Sequence, residues 1–286
     1  MKVIKIVYSA LFLFAFNFAN AQDDLLNELD SVTKPKEVTT SAFKGLQVAN
    51  VQSTKLASKG EWYFIVSHRF GDLTNGLDNF FGLDNAYTKI GGIYGITNWL
   101  SLSASRHTYG KTYELAAKYK LTNQIVDGFP ITIVGYNTFD INTALDKDEF
   151  PELKASNRLA YTSQLLFSRK FSENFSAEVN TIYVHKNLYE PTLEKKDNFL
   201  IGTGGRLKIS KRMSINADYS ARLNAVEHSV YHNPISLGMD IDTGGHIFQM
   251  VFSNSQLMND VAYFTNTTGV TSGKGIFFGF NMYRVF

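Results

Sequence analysis

No cysteine occurs in the 286 residues. An exported chain without thiols has no disulfides to hold it together and no N-terminal Cys to carry lipid, so a lipoprotein is excluded and stability must come from hydrogen bonds and packing. Proline is also scarce, at 5 residues, which leaves extended segments free of a residue that cannot donate to a sheet ladder. No excess of either charge is available to grip a polyanion. The 28 Lys and Arg stand against 26 Asp and Glu, and removal of Lys2 and Lys5 with a leader leaves 26 against 26. Nucleic acid is not an expected partner. The sequence also lacks any apolar run long enough to span a bilayer as a helix.

The one sustained apolar run is at the start. Lys2 and Lys5 precede IVYSALFLFAFNFA, and Ala19-Asn20-Ala21 follows. This is the pattern of a secretory signal peptide with an A-x-A cleavage site, predicting a mature chain from Gln22. Residues 22–59 read as a periplasmic tail or plug-like segment. Leu25, Leu26, Leu29 and Val32 suit one or two amphipathic turns, TKPKEVTTSA reads as linker, and FKGLQVANVQST (43–54) is extended in character without a clear place.

From residue 60 to 286 alternation with period two takes over. About twelve runs of membrane-strand length appear, from EWYFIVSHRF to the closing GIFFGFNMYRVF. Tyr113, Leu115, Ala117, Tyr119 and Leu121 oppose Glu114, Ala116, Lys118 and Lys120. In the last run Ile276, Phe278, Phe280, Met282 and Phe286 share one face, interrupted by Arg284. Short turns (TNW, SEN, SKR, DTGG) alternate with longer connections, among them residues 71–85, 141–156 and 254–273. One-sided loop lengths and an even strand count predict an all-β fold: an antiparallel transmembrane β-barrel with short periplasmic turns and longer extracellular loops. A soluble sandwich or lipocalin-like barrel is the competing reading. It would have to bury one apolar face per strand in a single core, and it does not account for the one-sided loops.

SHRFGD (67–72), DNFFGLDNA (78–86), YGITNWLSLSASR (94–106) and KTYELAAKYKLTNQ (111–124) resemble a family of Bacteroidota outer-membrane β-barrels classed as a domain of unknown function. The similarity extends over residues 60–286 and implies fold and location, with no substrate, cofactor or catalytic residue attached. The aromatic C-terminal strand is similar to the signal read by barrel-assembly machinery. Outer-membrane lipid and lipopolysaccharide are the other expected partners, with a small solute or a protein partner left open.

Placing the polar parity inward lines the lumen with Arg69, Lys89, Lys118, Lys120, Arg206, Lys208 and Arg222 against Glu61, Glu114, Asp140, Glu178, Asp218, Asp240 and Asp242. Balanced signs predict cross-lumen ion pairs, or a narrow water path, rather than the one-sign ring of a strongly selective pore. Phe80 and Phe81, adjacent in an outer loop, are candidates for an inward constriction or a membrane-interface contact. His68, His107, His185, His228 and His232 are placed at the outer rim as hydrated side chains, with metal or haem capture as the alternative. The carboxylates of DKDEFPE match no calcium loop. Ser105 and His107, two apart on one strand, are expected to project in parallel, and no nucleophile elbow occurs, so no enzyme, metal or cofactor is predicted. A narrow channel or small-solute uptake protein is the leading expectation. A non-conducting barrel that binds a partner through its outer loops or N-terminal tail is the other.

Overall fold

The structure is a computed structural model that describes residues 37–270 and 274–286. The leader, the cleavage site and the amphipathic turns at 25–32 lie outside the described residues.

Twelve strands form one closed antiparallel barrel: β1 (Trp62–Asp72), β2 (Ala86–Gly95), β3 (Leu100–His107), β4 (Tyr113–Thr122), β5 (Thr132–Ile141), β6 (Leu159–Lys170), β7 (Phe175–Lys186), β8 (Asp197–Lys208), β9 (Met213–Arg222), β10 (Ile235–Asp242), β11 (His246–Ser253) and β12 (Phe277–Val285). Each strand pairs with its sequence neighbours, and β1 pairs with β12 from Tyr63↔Val285 to Arg69↔Gly279. Closure satisfies every edge, which is the condition for sheet to cross hydrocarbon. Among the described residues no helix is long and apolar enough to cross a membrane.

Side-chain period sorts the two faces. In β1 the residues Tyr63, Ile65, Ser67 and Arg69 are buried inside, while Trp62, Phe64, Val66, His68 and Phe70 face out. Outward aromatics form two belts. Trp62, Tyr94, Trp99, Phe171 and Phe175 lie toward the end where β1 starts and β12 finishes, hereafter the terminal end. Tyr113, Phe139, Tyr161, Phe199, Tyr219 and Phe252 lie toward the opposite, loop end. Such girdles mark the two interfaces of a membrane barrel. Phe286 is held at the seam: its N–H donates to Trp62 O at 2.9 Å, its ring lies 5.1 Å from that of Trp62, and the Arg284 guanidinium stands 4.6 Å above it. A cation at this interface keeps its charge in the wet layer while its stem packs on the aromatic.

The longest connections, 142–158 and 254–276, are both at the loop end. Residues 254–268 of the second do not stay outside as a surface loop. They fold back into the barrel and form a short helix, α1 (Asp260–Thr265), all six residues of which are buried. Val261, Ala262, Tyr263 and Phe264 cannot remain in water at low cost. Three of them, Val261, Tyr263 and Phe264, join Val51, Ile182, Val184 and Leu200 in the largest apolar cluster of the interior.

Candidate functional site

The lumen holds two inserted segments. The first is a strap, residues 38–58, which enters at the terminal end and reverses in a hairpin. Gln47 bridges Gln52, Ser53 N donates to Leu46 O at 3.1 Å, and Val48 N donates to Val51 O at 2.8 Å. Its Val48, Ala49 and Val51 have no solvent exposure. The wall leaves room for the tip with glycine: a Cβ at Gly204 or Gly238 would stand 3.1 Å from Val48 or Ala49. The second is the inserted loop, residues 254–268, with α1.

Asp218, in β9, holds both. Its Oδ2 accepts the backbone N–H groups of Ala49, Asn50 and Val51 at 3.0, 2.8 and 3.1 Å, and its Oδ1 accepts the hydroxyl of Tyr263 at 2.9 Å. Three successive N–H groups around one carboxylate oxygen form an anion nest, which compensates a charge that burial would otherwise penalise. Ser236 extends the junction, 2.9 Å from both Asn50 Nδ2 and Tyr263 Oη.

Other wall residues read the strap's main chain in the same way. Lys118 Nζ donates to the carbonyls of Leu46, Ser53 and Lys55 at 3.0, 3.1 and 3.4 Å. Gln249 Nε2 donates to Val48 O at 2.7 Å, Asn281 Nδ2 to Ala49 O at 3.1 Å, and the fully buried Arg69 donates through Nη2 to Asn50 Oδ1 at 2.7 Å. Cross-lumen ion pairs, or a narrow water path, were the sequence expectation for the lumen charges, and of these Lys89 and Glu114 do pair. The correction elsewhere has a simple cause: the lumen is occupied by backbone, whose N–H and C=O groups need partners as much as the charges do.

A second polar cluster seats α1. Asp260 accepts from Gln52 Nε2 at 3.3 Å and Gln164 Nε2 at 2.5 Å, and Asn259 Nδ2 donates to Asp140 Oδ2 at 2.9 Å. Burial, reinforced by the nearby charge of Glu114 and opposed by Lys89, pushes the Asp260 carboxyl up to about 6. Lys89 pairs with Glu114 at 3.0 Å, and Lys186 holds Glu194 at 2.6 Å and Asn266 at 3.0 Å.

The remaining lumen candidates are less engaged. Glu178 accepts from Asn180 at 3.0 Å, Arg206 donates through Nε to Ser214 at 3.2 Å, and Arg222 donates to the carbonyl of Tyr231. Lys120 and Lys208 are partly exposed.

Phe80 and Phe81 do not constrict the lumen. They are 57% and 51% exposed at the loop end, both with positive φ. Their loop is folded on itself by Asp72, which caps Thr74 at 2.9 Å and accepts from Gly275 at 3.0 Å, and the space they would enter is taken by residues 254–268.

The histidines expected at the rim lie toward the loop end, as their places in the strands and loops imply, but on different faces. His68 faces outward between the rings of Phe70 and Phe280, and His185 faces outward with Nδ1 2.6 Å from Asp197. His107 is buried in the lumen, while His228 is exposed. Among the described residues no group of three His, Asp or Glu side chains could hold a metal. Ser105 and His107, expected to project in parallel without converging, do meet: Oγ lies 3.1 Å from Nε2. Glu114 approaches the same nitrogen at 3.6 Å and Ser105 Oγ at 3.2 Å. A nucleophilic triad needs the carboxylate on the other ring nitrogen, so this is a buried hydrogen-bond knot without triad geometry.

Two cavities flank the inserted segments. One of about 330 Å³ opens at the loop end over Asn259, Val261 and Ala262, with Arg158 and Lys186 in its walls. One of about 220 Å³ lies at the terminal end between the strap and β4. Within the barrel, a void of about 20 Å³ beside Leu46, Lys89 and Tyr136 has room for roughly one water.

A family profile described as a membrane-bound β-barrel domain, DUF5777, matches residues 43–286. No curated protein matches the chain. Among solved structures, the KdgM porin in complex with disordered oligogalacturonate superposes with a TM-score of 0.52 at 8% identity, covering 78% of this chain and 99% of that one. The NanC porin gives 0.49 at 8% identity, covering 78% and 98%. These likenesses concern the barrel fold.

Proposed function

That the chain belongs to the DUF5777 family of membrane-bound β-barrel domains is the premise from which we propose that it is a gated channel for small solutes, held shut in this conformation by the strap and the inserted loop. We place it in the bacterial outer membrane after cleavage between Ala21 and Gln22, with the terminal end in the periplasm and the loop end outside. Lipid and lipopolysaccharide meet the outward face, and the barrel-assembly machinery reads β12.

One observation carries the reading. Charged and polar residues of the lumen wall bind two segments that belong to no strand of the barrel, through hydrogen bonds that water can replace, beside apolar contacts at Leu46, Val51 and Leu56. Each such exchange has a small net cost of about 1 kcal/mol. Withdrawal of the strap would expose Arg69, Lys118, Asp218, Asp240 and Asn281 as the lining of a polar passage. Seals of this kind separate an open from a closed state more readily than wall side chains packed across the bore. The second reading, a non-conducting barrel that binds a partner, is favoured by how tightly the interior is filled.

Planar-bilayer recording on the refolded mature protein, with and without residues 22–58, decides between them. Rare or brief openings in the intact protein and steady steps in the shortened one are expected. Silence from both, with folding shown by heat-modifiable gel mobility, would sink the channel reading.

A further inference from the structure

The terminal-end cavity contains a charge arrangement that the closure does not use. Lys55 comes from the strap and Lys120 from β4, and both line the same space of about 220 Å³. Among the described residues no carboxylate lines it. Its remaining polar surface is supplied by hydroxyls and amides, among them Thr39, Ser41, Asn98 and Asn123. Among the described residues neither lysine ammonium takes part in an ion pair, whereas Lys170, at the same end, is bound to Glu173 at 2.7 Å and to Thr40 at 2.7 Å. Asn98 has its Oδ1 occupied by the N–H of Lys59 at 3.1 Å, which leaves its amide N–H groups to donate.

Two like charges in one small polar cavity repel each other, and that repulsion acts between strap and wall. A dianion seated between them reverses its sign and gains charge-assisted hydrogen bonds from both ammonium groups. Lysine, a compact point charge on a flexible stem, suits an oxyanion that offers several acceptors without a planar fork. A cavity this small, below the usual range for drug-sized ligands, admits an ion or a very small ester. We propose that this cavity binds a phosphate group, which bridges Lys55 of the strap to Lys120 of the barrel wall.

The proposal is independent of whether the barrel conducts, because binding is read without a pore. Isothermal titration calorimetry of the full mature chain in a sugar-based detergent, with inorganic phosphate and separately with glycerol 3-phosphate, supplies the test. Saturable binding of phosphate is expected, weakened about tenfold or more by Lys55→Gln and by Lys120→Gln. Lys170→Gln should bind as the parent does. Binding of the free ion alone would identify inorganic phosphate as the ligand, and binding of both would extend the site to phosphate monoesters. No saturation by about 10 mM of either compound overturns the proposal, as does equal binding by the double Lys55→Gln, Lys120→Gln variant. Lys55 lies outside the strand ladder, so its single variant reports even if Lys120→Gln does not fold.

Discussion

The strap and the inserted loop fill the same lumen by different means. The strap is gripped through its main chain, by Asp218 at three N–H groups and by Lys118, Gln249 and Asn281 at five carbonyls. The loop is gripped through side chains, with Tyr263, Asp260 and Asn259 each finding a polar partner and Val261 and Phe264 packing in the apolar cluster. They differ in tethering too. Among the described residues the strap runs into one strand, β1, and its other end is pinned to the β4–β5 connection by Thr39 N, which donates to Gln124 O at 3.0 Å, whereas the loop runs into β11 and β12 at its two ends. A segment pinned by hydrogen bonds is released when they break, while one continuous with strands at both ends must swing out on hinges. Both also have apolar anchors: Val51 of the strap sits in the cluster around Phe264, and Leu46 and Leu56 pack on Tyr63, Ile65, Val134 and Leu166 of the wall. The strap, continuous with a single strand among the described residues, is nevertheless the part freer to leave first.

Asp218→Ala should erase the distinction, because it releases both segments together. It strands three buried N–H groups and leaves the Tyr263 hydroxyl with Ser236 alone, a loss on the order of 3–5 kcal/mol. Hydrogen–deuterium exchange should then rise at 46–53 and 259–267 alike, and protection retained in either segment would show that Asp218 does not join them.

Asp260 allows the loop to be loosened selectively. A buried carboxyl raised to about 6 favours the inserted state when protonated. Its contribution is complete below the ordinary value near 4 and declines as pH rises through about 6, by up to about 3 kcal/mol. Protection factors at 259–267, with the intrinsic pH dependence of amide exchange divided out, should therefore fall between pH 4 and 7 while those at 46–53 change less. Asp260→Asn, which cannot ionise, should flatten that dependence. A profile equally steep in the variant would assign it to another group.

Gly95→Ala reverses the selectivity. A Cβ there would stand 1.8 Å from the carbonyl oxygen of Ser58, where the strap turns into β1. Overpacking of about 1–3 kcal/mol should expose the strap to protease at residues 54–60 and leave α1 protected. Cleavage at the loop end instead would contradict the local account. Tyr263→Phe is expected to have the smallest effect, about 1–2 kcal/mol, seen as a modest rise in exchange confined to the loop. An equal rise in the strap would place more of the Asp218 junction on the hydroxyl than its single bond suggests.

The barrel was legible in the sequence because its signal is local. Alternation such as that of Tyr113 to Leu121 assigns each side chain a face without knowledge of any neighbour, and the lumen positions of Arg69, Glu114, Lys118 and Asp218 follow from parity alone. The strap was not legible in detail. Val48, Ala49, Asn50, Val51 and Gln52 are all buried, polar and apolar alike, because the hairpin is enclosed on every side, and enclosure removes the period that marks a strand. The inserted loop was placed outside on its length and position. Leu257, Met258 and the run Val261 to Phe264 were the signal that water was the wrong surroundings for it. Phe80 and Phe81, expected to constrict the lumen or to meet the membrane interface, stay out of the lumen, since a pair of aromatics is little apolar surface beside two whole turns. Lys55 gave no sign, because its role depends on meeting Lys120 across a fold that neither local pattern describes.

The hairpin of the strap also bears on how the molecule assembles. Its tip bonds to Asp218 and Asn281, partners 167 to 232 residues further along the chain. Contacts so distant in sequence form late and slow the search for the native state. Yet the strap precedes β1, so it is in place before β12 arrives to shut the ring. The last strands can gather around a polar template already present, and a chain deprived of that template should close its barrel more slowly even where the finished ring is equally stable.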